Sequence, residues 1–463
     1  MSRILFFTLS LFAPSLLLAN PERFPAETLG IGWTLPFITM LLSLALFPLL
    51  IPRIWKAHYG KIAVGLALFT MGSLALTFGP SLALSAIAHT LFHEYFPFII
   101  MIGALYTISG GIRLRVEASA TPFLNTCFLA LGTFVAGWIG TTGASMLLIR
   151  PLLHMNANRK AKVHHVIFFV FLVANMGGAL TPLGDPPLFL GFLNGVSFSW
   201  PLSHLILDML LMIVPLLVIF YSLDTFYAHK EGFTYVPSKM TLDINGAFNG
   251  LLFIGVLGLV VISGIWKPST EIALGPLSLE LQNIVRDLGL IGLALLSYKL
   301  TPVTLHEENH FSWEPFKEVA KLFLGIFITV IPVIAILKAG PEGALAPLIA
   351  LVNENGVPQN AIYFWLSGGL SSFLDNAPTY LVFFHIAGGN ADVLMESLPR
   401  TLAAISLGSV FMGAMTYIGN APNFMVKTIA EFYKVPMPHF FGYLAWSCGI
   451  LLPLFFLLAW VRF

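Results

Sequence analysis

Two stretches far apart in the chain repeat one another. "ALTPLGDPPLFLG" (179–191) aligns with "AMTYIGNAPNFMV" (414–426), pairing Ala179 with Ala414, Thr181 with Thr416, Gly184 with Gly419, Pro187 with Pro422 and Phe189 with Phe424, each 235 residues apart. The same offset carries Gly140 of "GTTGAS" onto Asp375 of "LDNAPT". All four stretches set small, polar or helix-breaking residues inside apolar runs. Proline lacks an N–H and clashes with the preceding turn. Gly184, Pro186 and Pro187 therefore break one run, and Gly419 and Pro422 break the other. In a membrane the freed N–H and C=O groups are tolerated only where protein or a water-filled cavity satisfies them.

That the runs are membrane segments follows from composition. Of 463 residues, 57% are hydrophobic and 10% are charged, and the mean hydropathy is +0.87. Soluble domains carry about 25% charged residues. The fold class is an all-α polytopic membrane protein. A net charge of +1 argues against a nucleic-acid partner. No P-loop or GxGxxG pattern is present, so ATP-driven pumping within this chain is not expected. No cofactor is expected either. Cys127 and Cys448 lie in apolar segments and read as free thiols.

Residues 1–19 read as a signal peptide of bacterial type, with one Arg, a short apolar core and "LLLA" before Asn20. Runs long enough to span lie near 30–52, 61–79, 95–113, 164–194, 203–226, 248–265, 283–301, 318–338, 400–432 and 439–461. Residues 122–153 and 360–388 are interrupted halfway and read as re-entrant hairpins, each leaving on the side it entered. Residues 80–92 fit more than one reading, among them an extension of the second span. The loop "HEENHFSWEPFKEVAK" (306–321) reads as an amphipathic segment on the inner surface. With the mature N-terminus outside, 16 Lys and Arg fall on the inner side and 6 on the outer, which satisfies the positive-inside rule. In that frame Arg150, His154, Arg159, Lys160, Lys162, His164 and His165 form a basic inner loop that serves as a topology signal.

Equivalent elements are separated by five spans, an odd number, so the two halves have opposite orientation. The first inverted repeat covers 30–226, with its hairpin at 122–153 and its broken helix at 164–194. An inner linker follows at 227–247. The second repeat covers 248–461, with its hairpin at 360–388 and broken helix at 400–432. This 5+5 plan is that of secondary transporters, whose site lies between discontinuous helices at the midplane.

The chemistry of the breaks points to cations. An ionised Asp at a helix centre costs about 2.5–3.5 kcal/mol on insertion scales. Asp185 and Asp375 nevertheless sit at two of the breaks, aligned with Asn420 and Gly140 respectively. Capping of the following half-helix is the structural alternative for each. Thr141, Thr142, Ser145, Asn376 and Thr379 at the tips, with Asn175 one turn before a break, offer neutral oxygens. Na+ prefers such hard ligands, as other hard cations do. Thr181, Gly184, Thr416, Gly419 and Asn420 complete the candidate site, and Asp185, Asp375 and Asn376 are the expected ligands of the transported cation. No Arg or Lys lies at a tip or break.

With these motifs the chain resembles the ion transporter superfamily over most of 30–461. "TPLGDPP" and "FLDNAPT" are similar to the pattern of NhaD-type sodium/proton antiporters, and also to a bacterial citrate-transporter (CitMHS-like) family often called sodium:proton antiporters. The Ser-Asn-Thr tips of the sodium-coupled dicarboxylate branch are absent. The resemblance implies a homodimer in the bacterial inner membrane, with a scaffold and a moving transport part that contains the hairpins and broken helices. The expected activity is Na+/H+ antiport by alternating access. Sodium- or proton-coupled uptake of a carboxylate such as citrate is the alternative, and arsenite-type or metal export a lesser one. Two intramembrane acids also invite comparison with intramembrane aspartyl proteases, but those need two carboxylates in contact and signatures missing here, so an enzyme is not expected.

Overall fold

The computed structural model describes residues 26–463 apart from 119, 234–240, 269, 275, 276, 310 and 355, and gives no side-chain description for 26, 49 and 274. The expected signal peptide and part of the 227–247 linker lie outside the described residues.

The chain opens with α1 (Leu35–Leu50), α2 (Pro52–Phe78) and α3 (Pro80–Thr90), which passes through a π turn at Leu91–Tyr95 into α4 (Phe96–Gly110). Strand β1 (Arg113–Glu117) leads to α5 (Pro122–Ile139) and α6 (Thr141–Met155), then α7 (Val163–Leu172), α8 (Pro186–Leu193) and α9 (Trp200–Glu231). After β2 (Thr241–Asn245) come α10 (Phe248–Ile265), β3 (Glu271–Leu274), β4 (Leu277–Glu280), α11 (Leu281–Leu300), α12 (Val303–Glu308), α13 (Glu314–Thr329) and α14 (Ile331–Lys338). The chain ends with α15 (Ala346–Val352), β5 (Asn353–Glu354), β6 (Val357–Pro358), α16 (Asn360–Ser371), α17 (Asn376–Ile386), α18 (Ala391–Glu396), α19 (Pro399–Phe411), α20 (Ala421–Phe432) and α21 (Phe440–Arg462). Among the described residues, 8 helical stretches are long and apolar enough to cross a membrane.

The chain forms two compact units, and each draws on both sequence halves. The first takes the described residues up to Met101 with Leu259–Leu290 and Trp313–Leu351. Here α2 packs against α13 so closely that a Cβ added at Gly325 would lie 3.1 Å from the Ala63 carbonyl. Small residues at such crossings let membrane helices approach each other. Phe98 stacks beside Phe323 at 4.7 Å, and Leu74, Ala83, Ile87 and Ile331 form a buried cluster.

The second unit comprises Ile102–Gly258, Ile291–Ser312 and Val352–Phe463. Helices α5 and α6 pack on each other across Gly140, whose φ of +85° is open to glycine and strained for other residues. Helices α16 and α17 pair across 372–375 in the same way. Between α7 and α8, and between α19 and α20, the helix gives way to a short 3-10 turn and extended chain. Helix α9 packs on α5 and α7, and meets α21 where Arg462 Nε pairs with Asp208 at 3.1 Å.

The 235-residue offset reappears in these elements. Helix α6 begins at Thr141 and α17 at Asn376; α8 begins at Pro186 and α20 at Ala421. The residues before the second pair, Asp185 and Asn420, share an extended backbone, with φ, ψ of −146°, 147° and −152°, 138°.

Several local expectations change. Residues 80–92 extend the third span, not the second: Gly79 has φ +91° and Pro80 starts a new helix, and the apolar stretch runs on from Pro80 to Gly110. The 306–321 segment is not continuous. It divides between α12 and α13, and Glu314 begins a stretch to Lys338 long enough to span. Helix α5, at 18 residues, also has the length of a span by itself. Sequence reading missed the antiparallel ribbon of β1 and β2, which pairs Arg113 with Asn245 and Glu117 with Thr241.

Candidate functional site

The second unit gathers its broken elements around one carboxylate. Pro186 and Pro187 start α8 and cannot donate backward, so the preceding chain is extended and Asp185 is held at the helix entrance. Its side chain is 2% exposed. Thr141 Oγ1 donates to Asp185 Oδ1 at 2.7 Å. Asn420 Nδ2 donates to the same oxygen at 3.2 Å. Asn376 Nδ2 donates to Oδ2. Four breaks thus meet: the two tips supply Thr141 and Asn376, and the two broken helices supply Asp185 and Asn420.

Backbone contacts hold this crossing together. The amide of Thr141 donates to the Gly184 carbonyl at 2.8 Å. Thr181 Oγ1 donates to the carbonyl of Gly137, and Thr416 Oγ1 to that of Ser372, each pair 44 residues apart. Those hydroxyls also accept the amides of Leu183 and Ile418, both at 3.2 Å. Thr181 and Thr416 therefore tie break to tip, and their hydroxyls are occupied by backbone groups. Gly184 and Gly419 are present because the chain passes too close for a side chain. A Cβ there would lie 2.3 Å from the Gly178 carbonyl and 2.6 Å from the Gly413 carbonyl.

A layer of amides lies behind Asp185. Asn175 Oδ1 accepts from Asn420 Nδ2 at 3.2 Å, and Asn175 Nδ2 donates to Asn423 Oδ1 at 2.8 Å. Asn423 Nδ2 donates to the carbonyls of Gly413 and Thr416 at 2.8 and 2.9 Å. Sequence reading passed over Asn423, although it lies three residues beyond Asn420, on the same face of α20. That spacing was the available signal.

The other candidates divide. Asp375 is half-buried and caps α17, accepting from the Ala377 amide at 3.2 Å. Thr379 Oγ1 donates to the Asp375 carbonyl at 3.0 Å. Thr142 is half-buried next to Thr141. Ser145 Oγ and Asn376 Oδ1 are buried oxygens without a hydrogen-bond partner among the described residues.

The electrostatics are simple. Hydrogen bonds to a charged group contribute about 1.5–3 kcal/mol each, but three neutral donors do not cancel a buried negative charge. Among the described residues no lysine, arginine or histidine pairs with Asp185. Its counter-charge has to be something bound, a proton or a cation. Neutral oxygens within a dry crossing of helix ends suit a small cation.

A family described as "Putative citrate transport" matches residues 26–463. The chain belongs to that family. No curated protein matches it. Membership, with the multi-pass helices, makes this a membrane transporter of the secondary type, consistent with the resemblance to the ion transporter superfamily seen in the sequence.

The basic inner loop is the clearest departure from sequence reading. Arg159, His164 and His165 are buried around Asp224, a residue of α9 that sequence reading had not singled out, so these three do more than mark the inner side by charge.

Proposed function

We propose that the chain is a cation/proton antiporter, Na+ being the favoured cation, and that Asp185 holds cation and proton in alternation. The single observation that carries this is a buried carboxylate contacted only by neutral donors. Such a group needs one positive charge, and it accepts either kind but not both. Asn376 Oδ1 and Ser145 Oγ, with Thr141, are the nearest candidates to complete the cation's oxygen shell. Asn376 would turn its amide from donor to acceptor as the cation replaces its hydrogen bond. Asp375, one residue before Asn376, contributes to the field and caps the helix that carries Asn376.

We read the 235-residue offset as an inverted 5+5 repeat with two re-entrant hairpins, in an inner-membrane homodimer whose mature N-terminus lies outside. Access would alternate by movement of the unit that contains both hairpins and both broken helices. A second reading, cation-coupled citrate uptake, is favoured by the family's own description, and half-helix N-termini favour anions.

Proteoliposomes separate the two. Cation-induced proton efflux is expected in the wild type and lost in Asp185→Asn, which keeps size and hydrogen bonding but cannot ionise. The variant should elute as the wild type does from a sizing column. Wild-type exchange in Asp185→Asn would refute the mechanism. Sodium uptake driven only by citrate would establish the symporter instead.

A further inference from the structure

A cavity of about 130 Å³ opens in the second unit, where β1 packs on the far half of α6. Arg113 and Arg115 of β1, Arg150 and His154 of α6, Glu308 at the end of α12 and Tyr433 just past α20 form its polar wall. Apolar side chains of β1 and α6 complete it. Arg113 and Arg115 alternate onto one face of the strand, and Arg150 and His154 stand one turn apart on the helix.

This wall carries more positive charge than it neutralises. Glu308 is the one carboxylate among the lining residues, and it pairs with Arg113. Arg115 lies 3.8 Å from Glu117, and both side chains are exposed; exposed pairs of that kind hold each other weakly. Arg150 is half-buried. Among the described residues its guanidinium meets no carboxylate, and Nη1 donates to the Met146 carbonyl one turn back at 3.2 Å. A guanidinium offers five N–H donors in a fixed fork, so most of those on Arg150 remain for a ligand. The fork matches a phosphate or a carboxylate with two parallel hydrogen bonds.

Depth selects between sources of such an anion. Helices α6 and α20 pack side by side, and both start at the Asp185 crossing, after Gly140 and at Asn420. Arg150 lies nine residues beyond Thr141, or about 14 Å at about 1.5 Å per residue. The hydrocarbon core of a bilayer is about 30 Å thick, so its edge is about 15 Å from the midplane. On the membrane placement proposed above, Arg150 therefore sits at the level of the lipid phosphates. Phe432 and Tyr433, next to the cavity, are exposed large aromatic side chains, and such rings mark the headgroup level. Basic pockets between helices on the inner side suit acidic headgroups.

We propose that this cavity binds the phosphate of an acidic phospholipid from the inner leaflet, with Arg150 as its main partner, and that the bound lipid clamps α6 to the end of α20. The two helices that bring Thr141 and Asn420 to Asp185 are then held together at their far ends by a lipid.

The test needs no transport. The delipidated full chain, in detergent, is titrated with phosphatidylglycerol or phosphatidylcholine, and bound lipid is counted by native mass spectrometry. Phosphatidylcholine carries the same phosphate, but its choline cancels the charge. Phosphatidylglycerol should bind about tenfold more tightly, and Arg150→Gln should lose most of that preference. Glu308→Gln removes the competing carboxylate and should strengthen phosphatidylglycerol binding, so the proposal stays testable if the arginine variant fails to fold. Equal affinity for the two lipids, or a wild-type affinity for phosphatidylglycerol in either variant, would overturn the proposal. Inorganic phosphate at constant ionic strength should leave the lipid bound; full displacement would make the site one for a free anion and overturn the lipid. Phosphatidylglycerol should also raise the thermal midpoint of the wild type more than that of Arg150→Gln, and equal shifts would strike out the clamp. A chain that fails to exchange cations for protons but still selects the acidic lipid would count against antiport alone.

Discussion

Asp185 and Asn420 occupy equivalent positions in the repeat, and they meet at 3.2 Å. One position is an acid and the other an amide, which gives the crossing a single charge to exchange. Asn420→Asp should break that economy. Two carboxylates in contact cannot both ionise, so one proton would be held at the site. The expected result is an activation profile for cation-induced proton efflux shifted to higher pH by about a unit or more. An unshifted profile would mean that the two side chains do not face each other in the membrane. The residues legible in the sequence were those whose chemistry is intrinsic, namely a carboxylate and several amides next to prolines and glycines. Thr181 and Thr416 looked like ligands because a hydroxyl at a break is one. Their actual partners are carbonyls 44 residues away, and only the tertiary fold brings these together. Asp224 was missed for the same reason: its partners Arg159, His164 and Asn125 lie on three other segments.

The helix breaks were legible as elements, since Gly and Pro act locally. Their packing was not. Gly184 and Gly419 let two extended segments pass against the carbonyls of Gly178 and Gly413. Alanine at either position would force the backbone apart, an overpacking cost of about 1–3 kcal/mol. Gly250 in α10 has nothing within 4 Å of an added Cβ, and alanine there recovers up to about 1 kcal/mol of helix propensity. Thermal unfolding in detergent should place Gly184→Ala and Gly419→Ala clearly below the wild type and Gly250→Ala at or slightly above it. Equal midpoints for all three would show that the close approach is relieved at little cost. The extension of α3 into α4 is the opposite case. Gly79-Pro80 marks a boundary plainly, but hydropathy alone does not say to which neighbour the next eleven residues belong. The β1–β2 ribbon did carry a signal, since RLRVE and TLDIN both alternate between polar and apolar residues, but each run is only five residues long and the two lie more than 120 residues apart.

For the whole molecule, the number of carboxylates at the crossing sets the charge moved per cycle. Asp185 is the one acid contacted by Thr141, Asn376 and Asn420, whereas Asp375 spends its side chain on the Ala377 amide at the start of α17. If Asp185 alone trades a proton for a monovalent cation, each cycle moves no net charge. Exchange should then be indifferent to membrane potential. Moving one net charge across ~100 mV is worth about 2.3 kcal/mol, a factor of about 50 in the equilibrium gradient, so the distinction is easily measured. Proteoliposomes clamped with potassium and valinomycin at zero and at inside-negative potential should reach the same cation gradient for a given proton gradient. A large dependence on potential would mean that a second proton is carried. Asp375 would then be its first candidate, and Asp375→Asn should restore indifference to potential while leaving exchange intact. If Asp375→Asn instead abolishes exchange in a correctly folded protein, the capping carboxylate takes part in binding the cation, and the site has two charges rather than one.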